Sequence, residues 1–219
     1  MLVNDELKTI FIHIPKTGGT TISRNTIDNW IGLRGFFNAH TPIHKIKEKT
    51  DTAGYKFVTF VRDPYTRFKS MYNYLLLGGY IEDTPMTFAL NVFAGKYNWE
   101  FTNPMCYFCK RKDLDDLGRV ENFDADFERI FRCKSTDIIP LNKTRREDMY
   151  AQFPDLRDRV TRLYFEDFIE FGYQMDPFIY KQVEYHWTRE NFKKEKNYLL
   201  REFEKTGSIF DSIPMIRET

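Results

Sequence analysis

The chain has 219 residues, 42% of them hydrophobic and 17% aromatic, which suits one domain with a full core. A formal net charge of +1 with 30% charged residues speaks against a nucleic-acid binder or a polybasic membrane-surface protein. No apolar run approaches the roughly 18 residues of a membrane span, and no repeat, low-complexity tract or long linker divides the chain, so a single domain over 1–219 is expected.

The N-terminal stretch "MLVNDELKTIFIHIPK" lacks a signal peptide's basic start, long apolar centre and small-residue cleavage site. A soluble, cytoplasmic protein is expected. "KTIFIHI" (8–14) reads as a short, fully buried strand. From Thr20 the pattern turns helical, with Ile22, Ile27 and Trp30 able to share a face and Thr20 or Thr21 available as N-cap. "GLRGFFNAHTP" (32–42) is a glycine-punctuated loop, and "PIHKIKEKT" a short basic helix or turn. "YKFVTFV" (55–61) is a second strand running into "RDP", where Asp63 suits an N-cap and Pro64 the first helical position.

The helix "YTRFKSMYNYLLL" stops at Gly78-Gly79, and a helical segment around "PMTFALNVFAG" follows. Next come an aromatic, cysteine-bearing loop, a third strand in "LGRVENF" and a helix in "DADFERIFR". "DIIPLNKT" reads as extended, and the C-terminal third as helical and aromatic. Strands alternating with helices predict a three-layer α/β domain around a central, mostly parallel sheet.

The chemistry concentrates in "TIFIHIPKTGGTTISRN" (9–25). A strand, a glycine-containing turn and a helix start make an anion site, because free N–H groups and the helix dipole point at the ligand. Gly18 and Gly19 permit unusual dihedrals, Lys16 adds a full charge, and Thr20 and Thr21 add hydroxyls. The order departs from the G-x-x-x-x-G-K-[ST] loop of nucleoside triphosphatases, because lysine precedes the glycines. The second strand presents Arg62 before Asp63, which already has a capping role. Two strand ends that both present cations suit a ligand with two separated anionic groups and no obligatory metal.

"IPKTGGTT" followed by "VTFVRDPYTRFKSMYNYL" resembles the two nucleotide-binding signatures of sulfotransferases that use 3′-phosphoadenylyl sulfate (PAPS). The closer likeness is to the carbohydrate branch containing the heparan and chondroitin uronyl 2-O-sulfotransferases and small bacterial relatives. "LGRVENFDADFERI", "IIPLNKT" and "LYFEDFIEFGY" agree in the same order, so the resemblance spans about residues 9 to 173. It implies a fold like that of P-loop nucleoside triphosphatases and transfer of sulfate from PAPS to a hydroxyl, with a carbohydrate as the first choice of acceptor and PAP as product. It also implies that Lys16, Thr17, Gly18, Gly19, Thr20 and Thr21 hold the 5′-phosphosulfate, and that Arg62 and Ser70 bind the 3′-phosphate. Asn142, Lys143 and Thr144 of "LNKT" match a segment that closes over the cofactor in relatives. No metal is implied.

Sulfuryl transfer needs charge stabilisation on the leaving phosphate, a role expected of Lys16, and a base for the acceptor proton, for which histidine is the usual choice. His13 sits in the first strand and reads as a core or supporting residue, and His186 as a partly exposed helix position. His40, in "NAHTP", falls in the segment where the resembling enzymes carry a catalytic histidine, with His44 in reserve; the residue two before His40 is Asn38 where some carry a second histidine. Arg119 and Glu121 are expected to brace the cleft. The basic groups Lys45, Lys47, Lys49 and Lys110, Arg111, Lys112 read as solvated surface. Cys106, Cys109 and Cys133 are an odd set, and "CYFC" lacks the second pair a structural zinc needs, so reduced thiols are expected. Two rival readings stay open: a magnesium-dependent nucleotide kinase on the same fold, and a domain that binds PAP or PAPS without transfer.

Overall fold

The computed structural model describes residues 2–24, 30–32, 39–97, 99–132 and 149–176. Five strands form one sheet: β1 (Leu2–Asn4), β2 (Thr9–Ile12), β3 (Ile31–Gly32), β4 (Lys56–Val61) and β5 (Asp116–Arg119), in the order β3-β1-β2-β4-β5. The three longer strands, β2, β4 and β5, run parallel, as alternating strands and helices require. β1 and β3 extend the sheet antiparallel beyond β2, which was not expected: three and two residues are too few to show a period.

Both faces of the sheet are covered, and the strand sequences say why. In the register Ile10↔Phe57 and Phe11↔Val58, alternate side chains point to opposite faces, and nearly every one is apolar. Ile10, Ile12, Phe57 and Val61 pack with Ile43 and Ile46 of α2 (Ile43–Lys49), Met105 and Phe108 of α5 (Met105–Phe108) and Phe171 of α9 (Phe165–Phe171). On the other face Phe11, Val58 and Phe60 meet Ile22 of α1 (Gly19–Arg24) and Phe127, Ile130 and Phe131 of α6 (Phe123–Phe131). A third cluster joins α3 (Pro64–Leu77), α4 (Pro85–Phe93) and α8 (Leu156–Leu163) through Phe68, Phe88 and Val160. Fully burying one such phenylalanine contributes about 1.5–3 kcal/mol.

Several boundaries differ from expectation for local reasons. β2 leaves the ladder after Ile12 instead of running to Ile14. The third strand is Asp116–Arg119, and "VEN" after it forms a 3-10 turn. The cysteine-bearing loop contains the short α5. The first turn of α1 closes through the Ile22 N–H on the Gly18 carbonyl at 3.1 Å, so Gly18, not Thr20 or Thr21, stands at the helix boundary. The cap of α3 is as expected: the Asp63 carboxylate accepts from the Thr66 N–H at 2.9 Å, with Pro64 in the first turn. After α7 (Met149–Gln152), the described part of the C-terminal third is helical through α8 and α9. Asn38, Cys133, Asn142, Lys143, Thr144 and His186 lie outside the described residues. Among the described residues no helix is long and apolar enough to cross a membrane.

Candidate functional site

Because β2 and β4 are parallel neighbours, the chain segments after Ile12 and Val61 emerge at the same edge of the sheet. The Thr59 hydroxyl locks that edge by donating to the Ile12 carbonyl at 2.7 Å. A cleft of about 200 Å³ opens there, lined by His13, Lys16, Gly18, Gly19, Thr20, Thr21, His40, Arg62, Ser70, Tyr74 and Phe101. Of the described residues expected in the site, all but Thr17 line this one space. Thr17 is fully buried, and its hydroxyl donates to the Ile14 carbonyl at 2.9 Å, which commits that side chain to the loop itself.

The loop is held in a conformation it would not choose alone. Lys16 has φ +68° and Gly18 +82°, and the left-handed region costs a non-glycine residue about 1–2 kcal/mol. Arg67 of α3 supplies the constraint. It is 1% exposed and donates to the Pro15 carbonyl at 3.1 Å, the Asn103 carbonyl at 2.9 Å and the Phe101 carbonyl at 3.3 Å. One buried guanidinium thus ties the lysine loop to the aromatic segment opposite.

Gly19 is set by close approach. A Cβ there would stand 1.9 Å from the His13 ring, and that ring is wedged between Phe11 and His40, with centroids 6.1 and 4.4 Å away. Gly19→Ala is therefore expected to lower stability by about 1–3 kcal/mol through overpacking and to distort the loop. Thermal denaturation checks it; an unchanged melting temperature would mean that the His13 ring yields.

Lys16 and Arg62 carry the electrostatics. The Lys16 ammonium lies 4.0 Å from the centre of the Tyr74 ring. Burial, then the neighbouring Arg62 and Arg67 charges, pulls it from 10.5 to about 8. Arg62 donates to the Thr66 hydroxyl at 3.1 Å and is also lowered, chiefly by burial and against the smaller raising effects of Glu121 and Asp63. Among the described residues neither cation makes an ion pair, and no carboxylate lines the cleft. Mutually repelling, partly desolvated cations flanked by hydroxyls are the electrostatic complement of an anion.

His40 lines the same cleft. Its Nδ1 donates to the His13 carbonyl at 2.8 Å, which leaves the lone pair of the neutral ring on Nε2. Burial lowers its pKa below the ordinary 6.5, against the smaller raising effects of that hydrogen bond and of Glu100. His13 is held well below 6.5, first by burial and then by His40, and so forms a neutral wall. His44 does not reach the cleft, and its ring stands 6.3 Å from Tyr107.

Arg119 and Glu121 brace the site. Glu121 accepts from the Asp63 N–H at 2.8 Å and the Tyr173 hydroxyl at 3.0 Å, and Arg119 donates to the Phe171 carbonyl. Lys47 pairs with Asp113 at 3.9 Å and Lys110 with Glu166 at 3.5 Å, as partly exposed surface pairs. Cys106 and Cys109 are buried free thiols pushed well above their ordinary pKa by that burial. Sequence reasoning missed Arg67, Tyr74 and Phe101. The first two were within reach, since Arg67, Ser70 and Tyr74 stand at helical spacing on α3; Phe101 carries no local signal. In comparisons with known proteins, no family model, no curated protein and no solved structure matches this chain.

Proposed function

We propose that this protein is a PAPS-dependent sulfotransferase with a P-loop-like fold, transferring a sulfuryl group to a hydroxyl acceptor, a carbohydrate by first choice. The observation that carries the reading is the convergence of Lys16 and Arg62, from the ends of adjacent parallel strands, in one cleft with hydroxyls and without a carboxylate among its described lining. PAPS fits that donor set, since it has a phosphosulfate at one end and a 3′-phosphate at the other. The loop from Lys16 to Thr21 would hold the first, and Arg62 with Ser70 the second; Ser70, 8% exposed on α3, lies two turns beyond Arg62.

Bound PAPS supplies a sulfuryl group on an activated phosphate leaving group. His40 Nε2 takes the proton of the acceptor hydroxyl as that oxygen bonds to sulfur. Lys16 keeps its charge beside the oxygen that departs with the phosphate and retains the electron pair of the broken bond. Arg67 holds Lys16 in place through the Pro15 carbonyl. A cytoplasmic setting belongs to the same proposal and is supported by the free thiols of Cys106 and Cys109.

Calorimetric titration with PAP and with ATP, each with and without Mg²⁺, tests the donor site. Metal-independent PAP binding with weak ATP binding is expected; magnesium-dependent ATP binding with indifference to PAP would transfer the site to a kinase. Arg62→Ala sharpens the assignment. It should weaken PAP by about 2–4 kcal/mol, roughly 30- to 1,000-fold, yet leave adenosine 5′-phosphosulfate, which lacks the 3′-phosphate, nearly unaffected. Equal losses for both ligands refute the placement of Arg62.

A further inference from the structure

Beside the charged cleft lies a second one of about 460 Å³, lined by Tyr74, Leu75, Tyr80, Trp99, Glu100 and Phe101. The two spaces share Tyr74 and Phe101 as a common wall. Phe101 stands 5.8 Å from the His40 ring on one side and 5.4 Å from the Tyr74 ring on the other, ring centre to ring centre. The second cleft therefore adjoins the first across the Tyr74 and Phe101 rings. We infer that this aromatic shelf is the acceptor subsite and that it takes an uncharged sugar ring, not a uronate. The inference rests on the reading of the adjoining cleft as the sulfuryl-donor site.

The chemistry of the lining selects among acceptors. The Tyr74 and Tyr80 rings lie with centres 6.3 Å apart and planes 28° from parallel, and they remain 40% and 62% exposed, so the surface is an open platform instead of an enclosed slot. A planar phenol gains most from an enclosed slot that desolvates both of its faces. A pyranose has one apolar C–H face for an aromatic platform and hydroxyls that stay in water, so an open shelf suits it better. Charge decides the second question. Glu100 is the one carboxylate of the described lining, and the cation against Tyr74, Lys16 at 4.0 Å from its ring centre, belongs to the lining of the first cleft and not to that of the shelf. A carboxylate there repels a uronic acid and accepts hydrogen bonds from the hydroxyls of a neutral ring; its two oxygens offer about four acceptor sites, enough to serve a ligand alongside protein partners. The basic groups at 45–49 and 110–112 do not line the shelf, and Lys47 and Lys110 sit in surface ion pairs.

Ligand-detected saturation-transfer NMR with methyl β-D-glucoside, galactoside and mannoside, each against its matched uronide, tests the subsite without requiring turnover. At least one neutral glycoside should bind more tightly than its uronide. Trp99→Ala and Tyr80→Ala should each weaken it about tenfold while PAP affinity, measured on the same preparations, stays within about twofold. Glu100→Gln should narrow the gap between glycoside and uronide. Tighter binding of uronides, indifference to both aromatic substitutions, a preference for 2-naphthol, or binding of no glycoside at all overturns the inference. Failure of the wild-type protein to bind PAP overturns the donor reading instead, and the glycoside titrations report the shelf independently of it.

Discussion

The expected result for Lys16→Ala is a loss of sulfuryl transfer of about 10²–10³-fold, the scale on which removing one stabilising group for a developing negative charge acts. The prediction follows from where the ammonium is kept. It is partly buried, close to Arg62 and Arg67, and lowered to about 8, so its charge is costly until an anion arrives to share it. Alanine leaves the backbone cost at φ +68° as it was, and the loop retains its tether from Arg67 to the Pro15 carbonyl. The loss therefore reports the charge and not the fold. A companion pH dependence has a definite sign. Only the protonated amine attracts the phosphates, so PAP affinity should be flat between about pH 7, above the phosphates' own titration at about 6, and about pH 8, and fall by up to about tenfold per unit above it. Lys16→Arg should move that alkaline limb out of the accessible range. Normal turnover in Lys16→Ala removes the central claim about the loop.

His40→Asn should cost about 10²–10⁴ in transfer with PAP affinity nearly unchanged. Asparagine keeps an N–H to offer the His13 carbonyl, which accepts from Nδ1 at 2.8 Å in the native protein, but has no basic nitrogen to replace Nε2. Histidine must be neutral to act as a base. Burial lowers His40 below 6.5, so the wild-type rate should already be at its plateau at pH 7. It should decline only as pH drops below the ordinary histidine range. Rate against pH with saturating donor measures this limb, and the Lys16 limb bounds the plateau from above. A wild-type protein that binds PAP tightly, turns over no acceptor and is indifferent to His40→Asn would be a binding domain instead of an enzyme.

Much of the frame was legible because it rests on local rules. The near-continuous apolar runs in "TIFI" and "KFVTFV" specify strands buried on both faces, and the helices between parallel strands follow from connection geometry. Asp63-Pro64 announces the start of α3 by capping chemistry alone. The lysine–glycine seam and Arg62 are legible for the same reason: each sits where a strand ends, and strand ends of a parallel sheet share an edge. The antiparallel strands β1 and β3 were not legible, since two or three residues become a strand only when a neighbour is already in place.

The sequence by itself determined the alternation of strands and helices and the glycine-rich turn after the first long strand; the expectation for His40 came from the family resemblance, and the structure brings both His13 and His40 to the cleft. Tertiary structure decided what those parts meet. It put Arg67 under the Pro15 carbonyl, the His13 ring where any side chain at Gly19 would clash, and Phe101 between His40 and Tyr74. It also took the Thr17 hydroxyl out of the cleft and brought the aromatic shelf beside it. Strand and cap signals act over a few residues and can be read locally. The contacts of Arg67 with Pro15 and of Phe101 with His40 and Tyr74 join residues about 30 to 60 positions apart, depend on packing, and exist only once the sheet and its covering helices have closed around them.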